Sequence, residues 1–412
     1  MSFKYIKVKT KGQNEGEKLL VPKLRFKEFH NKWIKLKLKD ISNDISYGMN
    51  SAATDFDGIN KYIRITDINE DTSLYNNSNP VSPSGYLDDK FLLQENDILF
   101  ARTGASTGKT YLYNKDDGKL YFAGFLIRAS IKKDYNSRFV FEQTKLNKYN
   151  NWVKIMSMRS GQPGINSTEY GNYEISITNS EEQEKIAKFV SLLDKKIELQ
   201  QRRIEALKIY KKGLSKKLFD KKSNLFFNDC FFHFGGTALE EYVTENAKYR
   251  FISIGNYSSD GTYIDNGQRI NNTGKAKDKI LNKNDLVMVL NDKTSQGNII
   301  GSTILIDEDN KYIYNQRSER IKCNSNIIPK YAWCILNSTN IRNIILKKSQ
   351  GGTQIYINFH EIEKLKLYVP SIEEQIKLSN IYYSIVSKLN IEDQKLNNLN
   401  TFKKSLLQQM FI

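Results

Sequence analysis

Between residues 181 and 219, apolar side chains recur at alternating intervals of three and four: Ile186, Val190, Leu193, Ile197, Ile204, Leu207, Leu214 and Leu218. Gln200 and Lys211 complete the series. The result is a heptad seam with Val190, Ile197, Ile204, Lys211 and Leu218 at a, and Leu193, Gln200, Leu207 and Leu214 at d. The spacing predicts one long helix, opened by a capping box between Ser180 and Gln183. The pattern returns near the end of the chain as Leu378, Tyr382, Ile385, Leu389, Glu392, Leu396, Leu399, Lys403, Leu406 and Met410. Its polar members Glu392 and Lys403 stand where Gln200 and Lys211 stand in the first copy. Two matched seams in one chain predict that the helices pair with each other as an antiparallel coiled coil. If Lys211 faces Glu392, Lys403 faces Gln200, and the buried charge meets a partner instead of leucine. A helix of this length spans about 57 Å, so the pair is also a ruler.

The helices belong to a longer repeat. Asn166 to Phe219 slides without a gap onto Asn358 to Phe411, a displacement of 192 residues. Glu181-Glu182-Gln183 falls on Glu373-Glu374-Gln375, and Lys211-Lys212 on Lys403-Lys404. Ahead of each helix lie segments of strand character. Lys61–Ile68, Asp97–Arg102 and Tyr173–Ile177 in the first half correspond in order to Arg250–Ile254, Asp285–Leu290 and Leu365–Val369. The plan is an α+β chain of two β-rich domains, each followed by a long helix, with pseudo-twofold symmetry. The expected boundaries are a loose arm over 1–20, a first domain over 21–180 with its helix over 181–222, and a second domain over 223–370 with its helix over 371–412.

The motifs that would announce chemistry fail on spacing. Arg102-Thr-Gly-Ala-Ser-Thr-Gly-Lys-Thr110 places three residues between Gly104 and Gly108 where a phosphate loop needs four, and it leads into a strand-like Tyr111-Leu-Tyr113. It reads instead as a Gly/Ser/Thr hairpin tip. His360-Glu361 starts like a zinc-protease helix, but Lys364 occupies the place of the second histidine. With three histidines in the chain a metal site is not expected. The six prolines never adjoin, which excludes the Asp/Asn-Pro-Pro-aromatic motif of amino-methyltransferases.

Charge adds a partner to this picture. A formal net charge of +17 points to a polyanion. From Lys185 to Lys222, Lys and Arg outnumber Asp and Glu by 13 to 4, a strip suited to phosphate contacts or to an acidic partner. Cys230, Cys323 and Cys334 are odd in number and show no CxxC spacing. With no secretory signal at the start, they suggest a reduced, cytoplasmic protein. No apolar run is long enough for a membrane span.

Taken together, these residues resemble the DNA-specificity subunit of type I restriction–modification systems. The resemblance rests on Glu182-Gln183-Glu-Lys185-Ile186-Ala187-Lys-Phe189 leading to Leu193-Asp194-Lys-Lys-Ile197, on Gly351-Gly352-Thr353-Gln354, on Pro370-Ser-Ile-Glu-Glu374-Gln375, and on Val21-Pro-Lys-Leu-Arg-Phe26 with Trp33. The first copy lacks the proline before its helix, and the second has Val386-Ser387 near the place of the Leu-Asp-x-x-Ile run. The resemblance implies a non-catalytic chain whose two target-recognition domains each read half of a split, asymmetric sequence in double-stranded DNA. Its partners would be two modification subunits carrying S-adenosylmethionine for adenine methylation, and restriction subunits carrying ATP and Mg. No cofactor is expected on this chain. Base readout needs donors and acceptors at loop tips. That points to Arg64, Thr66 and Asp67; Arg102, Thr103, Ser106, Thr107 and Lys109; and Arg159, Ser160 and Gln162 in the first domain. In the second domain it points to Lys293, Thr294, Ser295 and Gln296, and to Lys347, Lys348, Ser349, Gln350, Thr353 and Gln354. Two other readings fit the composition: a nucleic-acid-binding protein acting alone, with a coiled coil that only joins its domains, and an adaptor that uses its β domains for protein contacts.

Overall fold

The computed structural model describes residues 3–5, 21–158 and 163–412. It divides into two compact units, Met1–Leu199 with Asn397–Ile412, and Gln200–Leu396. This differs from a plan of whole domains followed by whole helices, because each long helix is shared between the units. Of the N-terminal arm, Phe3–Tyr5 pairs antiparallel with Leu24–Phe26.

In the first unit, β1 (Ser42–Tyr47), β2 (Asp97–Ala101), β3 (Thr110–Leu112) and β4 (Leu126–Ile131) form an antiparallel sheet in the order β1-β4-β2-β3. The second unit repeats the arrangement. There β5 (Phe231–Gly235), β6 (Leu286–Val289), β7 (Thr303–Leu305) and β8 (Ser318–Cys323) take the order β5-β8-β6-β7. Each unit adds one parallel pairing, Lys61–Ile63 with Leu120–Phe122 and Tyr249–Ile252 with Tyr312–Tyr314. All residues of β2 and of β6 are buried, so after Asp97 these strands read as unbroken apolar runs rather than as alternations.

The turns that launch the two central strands are also repeated. Asn96 and Asn284 adopt φ of 76° and 72°, a left-handed conformation that asparagine tolerates. The aspartates that follow close the turns: Asp97 accepts from the Gln94 N–H (2.8 Å) and Asp285 from the Asn282 N–H (2.7 Å). The strand expected over Lys61–Ile68 stops at Ile63. Asp67 accepts the Arg64 N–H at 2.9 Å and turns the chain into a short 3-10 segment, and Asn256 does the same for the Ser253 N–H.

The long helices run from Ser180 to Phe219 and from Ile372 to Met410. The first is capped one residue earlier than expected, since Asn179 Oδ1 accepts from the Glu182 N–H (3.0 Å). Gln183 is therefore free for another task. It accepts from the Asn136 N–H (3.0 Å) and donates to Thr178 O (2.7 Å). Gln375, its counterpart, accepts from the Ile328 N–H (2.9 Å) and donates to Pro370 O (2.9 Å). The repeated Glu-Gln is thus the bolt between each helix and its domain. In the first unit Glu182, fully buried, also takes both arms of Arg25 at 2.7 Å and the Trp33 indole N–H at 3.2 Å, which ties in the segment beginning at Val21.

Every seam position of both helices is buried or half-buried. Within each unit the end of one helix packs beside the start of the other. Phe411 packs at a tilt against Phe139 (5.2 Å) beside Ile186 and Val190 in the first unit, and Phe219 meets Tyr382 edge to face (5.2 Å) in the second. The polar layers are satisfied differently from the expected register. Glu392 accepts from Gln200 at 2.7 Å and pairs with Arg203, Lys211 pairs with Asp260 in the β-rich part of its unit, and Lys403 pairs with Asp194 at 2.5 Å. The expected Lys211–Glu392 and Lys403–Gln200 pairings are therefore corrected. Gln200 and Glu392 hold the same d position in the two copies, so their contact sets a register other than the expected matching of a to d, and a heptad pattern alone does not choose between registers.

Candidate nucleic-acid interface

In the first unit, residues 102–109 connect β2 to β3 as a hairpin, as the glycine spacing suggested. The turn is tight: Gly108 N–H donates to Ala101 O, and Ala101 N–H to Lys109 O. Gly108 has φ of 90°, and a Cβ there would lie 2.5 Å from Val153, so only glycine fits. Tyr149 also donates to Gly108 O at 3.0 Å. The hairpin lies against the chain that follows residue 162: Gly104 N–H donates to Pro163 O and Ile165 N–H to Arg102 O, with a bridge between Thr103 and Gly164. Arg102 is half-buried, reaching Gly124 O at 3.4 Å, with its guanidinium 4.8 Å from the Tyr47 ring. Burial acts to raise the Tyr47 hydroxyl, but the Ser167 donors and the Arg102 charge leave it below the ordinary tyrosine value. Lys109 pairs with Glu70 at 3.3 Å.

The second unit assembles the same pair of loops. Residues 290–302 connect β6 to β7, and Asn291-Asp292 pairs with Ile355-Tyr356. Lys293, Thr294, Ser295 and Gln296 are all exposed. Asp292 shapes this tip, accepting from the Thr294 N–H (2.9 Å) and the Ile299 N–H (2.8 Å). Gly297, with φ of 65°, is seated against Leu346 and Ile355, repeating the role of Gly108. Across from it, Gln350 and Tyr356 exchange backbone hydrogen bonds at 2.8 and 2.9 Å and close the Gly351–Gln354 turn. Lys347, Gln350, Thr353 and Gln354 are exposed. Lys348 is half-buried and pairs with Glu361 at 2.5 Å. Lys348 and then Lys364 hold the Glu361 carboxyl down at about 2.

Two loops that the sequence places some sixty residues apart thus meet at one end of each sheet, and comparison with known proteins gives that meeting a context. The model of the type I restriction modification DNA specificity domain matches residues 30–208 and again 229–401. The chain belongs to this family. It is 26% identical over 348 residues to the type I restriction enzyme MjaVIII specificity subunit of Methanocaldococcus jannaschii, covering 77% of this chain and 79% of that one. Its fold is similar to that of the type I restriction–modification S subunit of M. genitalium, with TM-score 0.61 and 18% identity over 95% of this chain and 99% of that one. It is also similar to a chain from a structural study of complex assembly and conformational transition in the type I system, with TM-score 0.55 and 12% identity over 92% and 97% of the two chains.

Within the specificity chain, the other expected contact residues are placed as follows. Arg64 is committed to Asp67 through paired bonds of 2.8 and 2.9 Å, and the hydrogen bond to Asp67 raises its guanidinium above the ordinary arginine value. Thr66 is exposed beside them. Thr107 donates to Gly104 O at 2.7 Å, while Thr103 and Ser106 are half-buried. Arg159, Ser160 and Gln162 lie outside the described residues. Sequence reasoning missed Tyr47 and Ser167, which flank Arg102, and Phe125, which stands 59% exposed next to it. It also missed Arg342, whose bonds to loop carbonyls no local pattern announces. Among the described residues, no helix is long and apolar enough to cross a membrane, and no group of three or more His, Cys, Asp or Glu is placed to hold a metal ion.

Proposed function

We propose that each β-rich unit of this DNA-recognition subunit reads one half of a bipartite, asymmetric duplex site through its pair of converging loops. The observation that carries the reading is the repetition of the same construction with different side chains. A glycine-seated hairpin meets a second loop in both units, presenting Arg102 and Lys109 in one and Lys293–Gln296 with Gln350–Gln354 in the other. Equal frameworks with unequal tips suit a reader of two different half-sites. The long helices set the gap between the half-sites and dock two modification subunits, which bring S-adenosylmethionine and methylate adenine. Restriction subunits add ATP-driven cleavage. The chain itself supplies recognition and no bond chemistry.

The test is to co-express the chain with its modification subunits and map methylated adenines. A single split motif with a fixed gap is the expected result. Arg102→Ala then relaxes one half of the motif and Gln350→Ala the other, each by about tenfold or more per lost base contact. Uniform loss across both halves, or specific binding at full affinity without companion subunits, overturns the reading in favour of a protein acting alone.

A further inference from the structure

The reading loop of the second unit is tied to the long helix that passes beneath it. Arg342, on the helix Thr339–Lys348, donates Nε to Ile300 O (2.8 Å), Nη2 to Asn298 O (3.0 Å) and Nη1 to Ser259 O (3.2 Å). The first two carbonyls belong to the loop that carries Lys293–Gln296, and the third to the turn over residues 258–261. That turn is rigid: the buried Trp333 indole donates to Gly261 O at 2.9 Å, and Gly261 has φ of 76°. The residue beside Ser259 is Asp260, which pairs with Lys211 of the first long helix. Lys211, Asp260, Arg342, Gln296 and Asn298 all line one polar cavity of about 280 Å³. Resting on the proposed reading of the second half-site, we infer that Lys211, Asp260 and Arg342 are positioning residues that couple the long helix to the 293–298 loop and so set recognition at that half-site alone.

The first unit keeps the framework but uses different pairs. Its equivalent turn, Asn69–Ser73, is held by the Glu70–Lys109 pair and by Lys145 on Ser73. Lys403, the repeat counterpart of Lys211, goes to Asp194 on the other long helix instead. Asp194 in turn pairs with Arg138 of the first unit, so the particular set of Lys211, Asp260 and Arg342 is not repeated at the equivalent positions there.

The experiment uses the full chain in complex with its modification subunits, and a duplex carrying the split site found by methylation mapping of that complex. Lys211→Met, Asp260→Asn and Arg342→Ala are compared with Lys403→Met. Amide exchange of residues 293–300 in the DNA-free complex is expected to accelerate on the order of tenfold in the first three variants while 102–109 is unchanged. Discrimination at the second half-site is expected to fall by a similar factor while the first is unchanged. Arg342→Lys is expected to restore part of both effects. Unchanged exchange of 293–300 in Lys211→Met overturns the coupling. Acceleration of both loops together overturns the positioning role in favour of general destabilisation. A wild-type complex that modifies no split site overturns the inference together with the reading on which it rests.

Discussion

At Lys145 the fold holds an amine where its neutral form is favoured. The residue keeps some exposure along its stem, but Nζ is turned inward onto Ser73 and Thr110 Oγ1 (3.0 Å) and sits 4.2 Å from the Phe141 ring. Burial, opposed only in part by Glu142, pulls its value from 10.5 down to about 7. The folded value lies below the unfolded one. The stabilising contribution is therefore complete above pH 10.5 and lost as pH falls towards about 7, because the unfolded chain binds more protons between those limits. Relative to Lys145→Met, the wild-type chain should therefore gain stability with rising pH across that interval, read as the difference between the two denaturation midpoints, since the thiols that burial holds above their ordinary value of 9.0 act in the opposite sense in both chains. An equal rise in both would place its origin elsewhere. Sequence reasoning passed over Lys145, because burial of a lysine amine depends on a turn at Ser73 far away in the chain.

At the scale of elements, each reading hairpin is seated on the helix that follows in its unit. Gly108 meets Val153 of the helix Asn147–Ser157, and Gly297 meets Leu346 of the helix Thr339–Lys348. Gly108→Ala adds a Cβ at a left-handed position, 2.5 Å from Val153. It should cost about 1–3 kcal/mol in a denaturant titration and loosen recognition of the first half-site while sparing the second. A stability change below the error of the titration would mean that the hairpin relaxes away from its seat. The hairpin was legible in the glycine spacing, but its seat was not, since 102–109 and 147–157 are separate in sequence and meet only through packing of the sheet.

For the whole molecule, the charge of +17 makes electrostatics the leading sequence-independent term in DNA affinity. The proposed reading requires several phosphate contacts in each unit, and on that reading raising salt from about 50 to about 200 mM should lower the affinity of the assembled complex by roughly a thousandfold or more. A nearly flat salt dependence, measured by equilibrium binding to duplex DNA, would show that the basic strip from Lys185 to Lys222 faces protein and not phosphate. That strip is exposed along much of the first helix, but the charge count alone does not assign its partner.

The sequence by itself determined the repeat, the two long helices, their seam and the order of the strands, because periodicity and self-similarity are properties of a line of residues. The polar side chains of the seam were another matter. Lys211 goes to Asp260 and Lys403 to Asp194, while Glu392, expected opposite Lys211, meets Gln200 instead. The sharing of each helix between two units, and the meeting of two remote loops over each sheet, were likewise decided only in three dimensions. An ion pair or a loop contact is chosen by which groups the packed fold brings within a few ångströms, and a heptad pattern ranks positions by burial without saying which charge lies nearby.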